Sequence, residues 1–556
     1  GGIGMSGLAE IMHRMGCTVT GSDAKPSPST ERLTALGIRV VIGHAASYLP
    51  PDAAALVVTS AVGEDNPEYA EARRRGIPIV CRGELLAELM RHKRAAAVAG
   101  SHGKTTTSSM LASIALDAGF DPTAAIGSTV PAFGGSNAKL GEGEWFVAES
   151  DESDGSFLEL SPEIAVVTNI DHEHLDHYGS FEGVCRAFLQ FSNRVPYYGT
   201  VIACADDPAT VETLSASRRR IVWYGRSPDA HVRIADERTD ASGSRFRLLL
   251  NGCPPLDVEL PAAGRHNVLN SAAAIAAAIR MGIPGEEAAK ALAAFRGPGR
   301  RMEWRGSAGG IGVIDDYGHH PTEVRTTIDA LRLLKPGRLV VIFQPHRYSR
   351  TAALMDDFAH AFDEADSVFI LSIYAASEAP IEGVSGEALA SKIRAAGHAA
   401  VSYAGPVEDA AKTVLPALRP GDLVVTLGAG SITNVGPQLL ELLGKRETPR
   451  EGGDGQARRG EQIEEIRRLL VLEDQRQHLA AHLQVGRGRV GGGHGWAGGG
   501  LGREAGAAGD VSADPGRRLR WPLGPAPAFV SEQGGRMPPQ GRRAQGRARQ
   551  PGCSSG

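Results

Sequence analysis

Residues 95–107 read Ala95-Ala96-Ala97-Val98-Ala99-Gly100-Ser101-His102-Gly103-Lys104-Thr105-Thr106-Thr107, and this stretch decides the fold. An apolar run, a glycine turn carrying a lysine, and the helix-like Ser108-Ser109-Met110-Leu111-Ala112 predict a strand, a tight loop and a helix. In such a loop the amides of the turn and of the helix N-terminus face phosphate oxygens, Lys104 neutralises β/γ-phosphate charge and a threonine hydroxyl binds Mg²⁺. The loop departs from GxxxxGK[ST], because Val98 stands where the first glycine would fall. The competing reading is a glycine-rich turn with an incidental lysine.

Downstream, Val147-Ala148-Glu149-Ser150-Asp151-Glu152-Ser153-Asp154 ends one predicted strand in dense acid. Asn169-Ile170-Asp171-His172-Glu173-His174-Leu175-Asp176-His177 ends another. Ligands of parallel sheets bind at the C-terminal ends of strands. Carboxylate with imidazole beside a phosphate loop suits Mg²⁺, which takes oxygen ligands and bridges phosphate to a second reactant. Any one of these acids can equally be a solvated strand end or a helix cap. Zinc on His172, His174 and His177 is disfavoured, since the alternating histidines come without a cysteine.

Two further regions read as α/β units. The first offers Gly2-Ile3-Gly4-Met5-Ser6-Gly7, a GxGxxG, with Asp23 following Val19-Thr20-Gly21-Ser22. Alone this suggests a dinucleotide fold, but a nucleotide diphosphate satisfies the same amides. The last has predicted strands at Gly312-Val313-Ile314, Leu339–Phe343 and Leu423–Leu427. Two of them run into Asp315-Asp316-Tyr317-Gly318-His319-His320-Pro321 and Gln344-Pro345-His346-Arg347-Tyr348-Ser349-Arg350. Guanidinium groups at Arg347 and Arg350 can fork onto a carboxylate, or be solvated at the surface. Strands alternating with helices imply parallel sheets in all three units.

A chain of 556 residues exceeds what one core usually supports, so several domains are expected. We place them at 1–91, 92–297 (ending at the breakers Gly297-Pro298-Gly299), 298–446 and a low-complexity tail, 447–556. Hydrophobic content of 42% with 22% charged residues describes a soluble globular protein. No apolar run approaches the roughly 20 residues of a membrane helix. Six cysteines without CxxC pairs suit a reducing, cytoplasmic setting. There is neither a signal peptide nor an initiator methionine. Gly1-Gly2-Ile3-Gly4 reads as the middle of a motif, so a preceding segment is expected, and without it the first sheet lacks a central strand.

The tail holds 24 Gly, and its 17 Arg against 12 acidic residues give it about +5; the whole chain's −5 leaves about −10 on residues 1–446. Such a composition predicts disorder, with an amphipathic helix possible over 461–483. An Arg-rich tail can bind nucleic acid, but a solvated extension, or a stretch read out of frame, is the preferred reading.

Taken together, the segments GGIGMSGLAE, GSHGKTTT, AESDESDGSF, NIDHEHLDHYG, GRHNVLNSAAAIA, GRRMEW, DDYGHHPTEV, FQPHRYSRT and GAGSI resemble, in order, those of the Mur ligase family over nearly all of residues 1–446. The resemblance implies three domains: a Rossmann-like domain for a UDP-linked substrate, a central P-loop ATPase domain, and a Rossmann-like domain that brings the amino acid. It implies ATP and Mg²⁺ as cofactors. It also implies an ADP-forming joining of L-alanine to UDP-N-acetylmuramate in peptidoglycan precursor synthesis, by a monomer or homodimer with no nucleic-acid or membrane partner.

By the same resemblance, Gly100, Ser101, His102, Gly103, Lys104, Thr105 and Thr106 cradle the nucleotide phosphates, while His266, Asn270 and Arg301 contact the rest of ATP. Thr105, Glu149 and His174 are the implied metal ligands. Gly2, Gly4, Asp23, His44 and Ser60 fall in the implied UDP pocket. Tyr317, His319, His346, Arg347 and Arg350 surround the alanine and the reacting carboxylate, with Lys104, His174, His346 and Arg350 the implied catalytic set. Either His346 or His319 is the candidate base for the alanine ammonium. Relatives that add diaminopimelate or glutamate carry a carbamylated lysine near the second metal. No lysine lies between Lys139 and Lys290 here, which fits the alanine-adding members. The muropeptide-recycling members are the nearest rival, but FQPHRYSRT is less like theirs. A dehydrogenase would explain only Gly2–Gly7, and an idle P-loop binding protein would keep the site residues by chance.

Overall fold

The computed structural model describes residues 2–376, 378–445 and 462–467. The disorder expected of the remaining tail lies outside the described residues.

The first unit alternates strand and helix, as its apolar spacing predicts. Its strands Thr20–Asp23 and Arg39–Ile42 form one parallel pair, and Leu56–Val58 and Ile79–Cys81 a second, separate one. Helix Ile3–Arg14 starts at Gly2 and buries Leu8 and Ile11 in the same core as Phe146, Phe157 and Phe188 of the middle unit. Arg32 fixes this contact by donating to Ser136 Oγ at 2.6 Å and Asn137 Oδ1 at 2.8 Å, and it also pairs with Glu10.

The middle unit is built on a ten-stranded sheet. Its Ala/Val-rich strands Arg94–Ala99 and Ile164–Val167 are buried on both faces, as parallel strands under two helical layers must be. Strand Arg94–Ala99 lies between Trp145–Glu149 and Ile164–Val167, in register Val98 to Glu149 and Ala99 to Val167. The two acidic strand ends therefore flank the glycine loop directly. Helices Lys104–Asp117 and Arg265–Met281 pack on this sheet, the second buried almost all round by its alanines.

The third unit has six strands in the spatial order Glu303–Ala308, Ile311–Asp316, Asp422–Leu427, Arg338–Phe343, Ser367–Leu371 and Val401–Gly405. Its loops after Asp316 and Phe343 reach the middle unit, where Thr322 donates to Asp171 at 3.0 Å and Arg350 faces Glu173 at 3.7 Å.

The central sheet is mainly parallel, as expected, and the antiparallel pairs lie at the edges: Val232–Asp240, Gly243–Leu250 and Leu256–Leu260 form an antiparallel extension, Ala138–Lys139 pairs antiparallel to Thr123–Ala125, and, in the third unit, Glu303–Ala308 pairs antiparallel to Ile311–Asp316. That last hairpin turns on Gly309-Gly310, both at positive φ (59° and 72°), as a tight two-residue turn demands. One expectation needs correction: the amphipathic helix in the tail, expected to stand alone, does not. Residues 462–467 are helical, and Ile463 and Ile466 are 2% and 1% exposed within the core of the third unit. The apolar face read from the sequence thus finds a partner in the chain's own last domain.

Candidate active site

The glycine loop is held open by two close approaches. Gly100 has φ 131°, and a Cβ there would meet Thr168 Oγ1 at 2.0 Å; Gly103 has φ 83°, and its Cβ would meet Asn270 Oδ1 at 2.5 Å. Only glycine fits either place. Helix Lys104–Asp117 begins immediately after, with no acid in its first turn, so its free amides face the loop. Lys104 Nζ donates to the carbonyls of Gly100 (2.6 Å) and Ser101 (3.0 Å) and to Glu152 Oε1 (2.7 Å). Burial opposes its charge, but Glu152 and Glu173 raise its pKa above the ordinary lysine value.

Thr105 Oγ1 donates to Glu149 Oε1 at 2.8 Å, and the Gly127 amide donates to the other oxygen at 2.6 Å. Beside them Glu152, Glu173 and His174 bring ligand atoms within 4.8 Å of one another. Glu152 Oε2 and Glu173 Oε1 are buried without hydrogen-bond partners. Two buried carboxylate oxygens without partners, on Glu152 and Glu173 beside His174, form a hard donor set, which fits Mg²⁺. Burial pushes Glu152 up to about 7 against the pull of Lys104. His174 is lowered to about 4, first by burial and then by Arg350 and Lys104, against the pull of Glu173, so its imidazole is neutral and able to ligate. His172 stacks on Phe181 and His177 packs on Tyr178, so among the described residues the three histidines do not converge as zinc ligands would.

Between the middle and third units lies a cleft of about 840 Å³ whose lining includes His102, Thr106, His266, Asn270 and Arg301. His266 and Asn270 are one turn apart on helix Arg265–Met281. Burial and the charge of Arg301 lower His266 to about 4. Arg301 stands over the ring of Tyr317.

On the third unit, His346 stacks on Tyr374 (centroids 5.4 Å, 12° between planes) and meets His319 edge-on at 5.7 Å. Arg347 has φ 68°, a strained backbone for a non-glycine residue at the tip of a strand-end loop. Arg350 Nη2 faces Glu173 Oε1 at 3.7 Å, and Arg347 Nη1 faces Asp176 at 3.6 Å and Glu378 at 3.8 Å. These arginines thus cross from the third unit to the acidic loop of the middle one.

In the first unit Asp23, His44 and Ser60 stand at or just beyond the C-terminal ends of parallel strands. His44 Nδ1 bonds Ser22 Oγ at 3.0 Å and lies 3.3 Å from Glu68 Oε1. Gly2 caps the first helix. Gly4 lies in its first turn, where a Cβ would meet Arg82 Nη1 at 2.7 Å, and Arg82 reaches across to Asp151 at 2.8 Å.

The residues predicted for nucleotide, metal and amino acid therefore converge, while Gly2, Gly4, Asp23, His44 and Ser60 form a separate group on the first unit. Sequence reasoning missed Glu152, Asp171, Glu173, Glu323 and Tyr374 as individuals. All but Tyr374 lie in quoted motifs, and a signal for Glu323 existed: it stands at the third position of a helix opened by Pro321.

Comparison with known proteins identifies the family. Residues 1–94 match the Mur ligase family catalytic domain, residues 98–278 the Mur ligase middle domain, and residues 300–430 the Mur ligase glutamate ligase domain. A UDP-N-acetylmuramate–L-alanine ligase of Solibacter usitatus is 52% identical over 443 residues, covering 80% of this chain and 94% of that protein. The crystal structure of a UDP-N-acetylmuramate–alanine ligase from Thermotoga maritima superposes with a TM-score of 0.69 at 28% identity, covering 80% of this chain and 97% of the other. A murein peptide ligase from Psychrobacter arcticus gives 0.65 at 26% identity, covering 80% and 98%. With its three units matched in order and a relative at this level of identity, the chain belongs to the Mur ligase family.

Proposed function

We propose that this chain joins L-alanine to UDP-N-acetylmuramate at the expense of ATP, in peptidoglycan precursor synthesis. The observation that carries the reading is the convergence of Lys104, the acidic strand ends and Arg350 on one place, beside a cleft that can hold a nucleotide. A carboxylate is a poor electrophile towards an amine, so it must first be activated. The lactyl carboxylate attacks the γ-phosphorus; a new P–O bond forms, the bond to the β-phosphate oxygen breaks, and ADP leaves. The alanine amine, having lost a proton, attacks the acyl carbon, and the tetrahedral intermediate expels phosphate.

Lys104 and the amides of the loop neutralise charge as two anions meet. Thr105, Glu149 and His174 would hold Mg²⁺, which would supply further countercharge. Arg350, freed from Glu173, receives the carboxylate of alanine, with Arg347 beside it. His346 or His319, both neutral, takes the proton of the ammonium. His266, Asn270 and Arg301 hold the nucleoside. The uridine diphosphate sits at Gly2 and Gly4, with Asp23, His44 and Ser60 around it. Closure of the third domain keeps water from the acyl phosphate. The boundaries at 91, 297 and 446, a cytoplasmic setting, and a monomeric or homodimeric state complete the reading.

The acyl-phosphate route is tested with UDP-N-acetylmuramate oxygen-labelled in its lactyl carboxylate. Label must appear in the released phosphate. Product formed with unlabelled phosphate would exclude this route, and ligation of a tripeptide in preference to alanine would reassign the substrate.

A further inference from the structure

Glu323 occupies a place that the reaction described above does not use. It is the third residue of helix Pro321–Arg332 and closes a capping box, its Oε2 accepting the amides of His319 at 3.0 Å and His320 at 3.3 Å. A cap needs no more than that. Yet Oε1 lies 3.5 Å from Nδ1 of His102 in the phosphate loop and 3.8 Å from Arg301, and Oε2 lies 3.4 Å from Nδ1 of His319. One nearly buried carboxylate thus touches the phosphate loop, the arginine beside the nucleotide cleft and the histidine of the amino-acid loop.

The far side of His102 is gripped as well. Its Nε2 meets Asp171 Oδ2 at 2.9 Å, and that oxygen also accepts Thr322 Oγ1 at 3.0 Å, from the residue preceding Glu323. With Asp171 bonded at Nε2 and the Glu323 carboxylate 3.5 Å from Nδ1, which has no hydrogen-bond partner of its own, His102 lies between the two domains' acids as a bridge. The neighbouring His320, its ring 4.8 Å from that of His102, uses Nδ1 to accept the Thr322 amide, which leaves Nε2 protonated and unsuited to bind a cation. The cluster therefore reads as an interlock.

We propose that Glu323 is a positioning residue that makes alanine binding depend on the nucleotide site: holding His102 and Arg301 through one oxygen, and the His319 loop through the other, it sets the amino-acid loop only when the phosphate loop is itself set. The inference rests on the functional reading above. Helix Pro321–Arg332 is a rigid element, so a displacement of His102 felt by Glu323 moves His319 with it.

Glu323→Gln tests this, because the amide keeps an acceptor for the cap but removes the charge that holds His102 and Arg301. In the full chain with UDP-N-acetylmuramate bound, alanine affinity is measured by calorimetry with and without the non-hydrolysable analogue AMP-PCP. The wild type is expected to bind alanine about tenfold tighter with the analogue, within the usual range of coupling between sites. E323Q loses most of that gain and raises KM for alanine about tenfold, while kcat at saturating alanine and the melting temperature change little. His102→Gln loosens the same bridge from the other side, so the double variant is no worse than either single one. Unchanged coupling in E323Q, or independent adding of the two effects, overturns the inference. A wild type without alanine-dependent phosphate release fails the functional reading instead, and this inference with it.

Discussion

Lys104 Nζ donates to Glu152 Oε1 at 2.7 Å, and both side chains are withdrawn from solvent. The ammonium proposed to meet phosphate is thus already paired, with a carboxylate whose second oxygen has no hydrogen-bond partner. Removing one member of such a buried pair leaves an uncompensated charge, which costs about 3–5 kcal/mol. Glu152→Ala should lose stability of that order in urea unfolding without ligand, and saturating ADP should restore a part by giving Lys104 a new anion. A loss below about 1 kcal/mol, indifferent to ADP, would contradict the pairing.

The base for alanine is testable through pH. Burial lowers His346 to about 3, with His319, Arg350 and Arg347 adding repulsion, and burial with Arg350 lowers His319 to about 4. A lowered histidine pKa keeps the ring neutral at every pH above it, and protonation enters only on acidification through about 4. Turnover should therefore show no inflection from these rings between pH 5 and 8. His346→Asn or His319→Asn should lower kcat, by about 10²–10⁴ for the true base, without moving the profile. A limb near 6.5 that disappears in either variant would refute this.

Cysteine chemistry offers an independent check. Burial raises Cys204, which lines the cleft proposed to hold the nucleotide, to about 11, whereas Cys17, Cys81 and Cys253 are exposed. Thiolate is the reactive form. Iodoacetamide at neutral pH should label those three and spare Cys204, with or without nucleotide, as peptide mass mapping would show. Rapid labelling of Cys204 would mean that this wall of the cleft is open.

The segment 462–467 belongs to the fold of the last domain. Ile466→Ala should cost about 2–5 kcal/mol in that domain's unfolding, the usual range for a buried isoleucine. An effect within about 0.5 kcal/mol would show that the segment does not pack there in solution.

How far the sequence could be read follows from the range of each signal. The loop Gly100–Thr107 is local: strand, glycines, lysine and helix adjoin, so its shape and chemistry are legible in one stretch. Of the acids of Glu149–Asp154 only Glu149 was singled out, by the family resemblance; the rest were legible as a group. The turn that aims Glu149 at Thr105 and Glu152 at Lys104 is made by packing against other strands. Glu323 stood in a motif read for its histidines, because its tie to His102 spans two domains. The separate strand pairs of the first domain and the antiparallel edges escaped for a like reason: alternation of strand and helix carries order along the chain but not who pairs with whom. Ile463 and Ile466 showed their periodicity, while the face that covers them lies in a distant part of the chain.

The most direct test of the central claim is phosphate release with ATP, Mg²⁺ and UDP-N-acetylmuramate, with and without L-alanine, in the wild type and in Lys104→Ala. Alanine-dependent release in the wild type, reduced at least about 10²–10³-fold by the substitution, is the expected result. Release indifferent to alanine, or undiminished in the folded variant, would contradict the account.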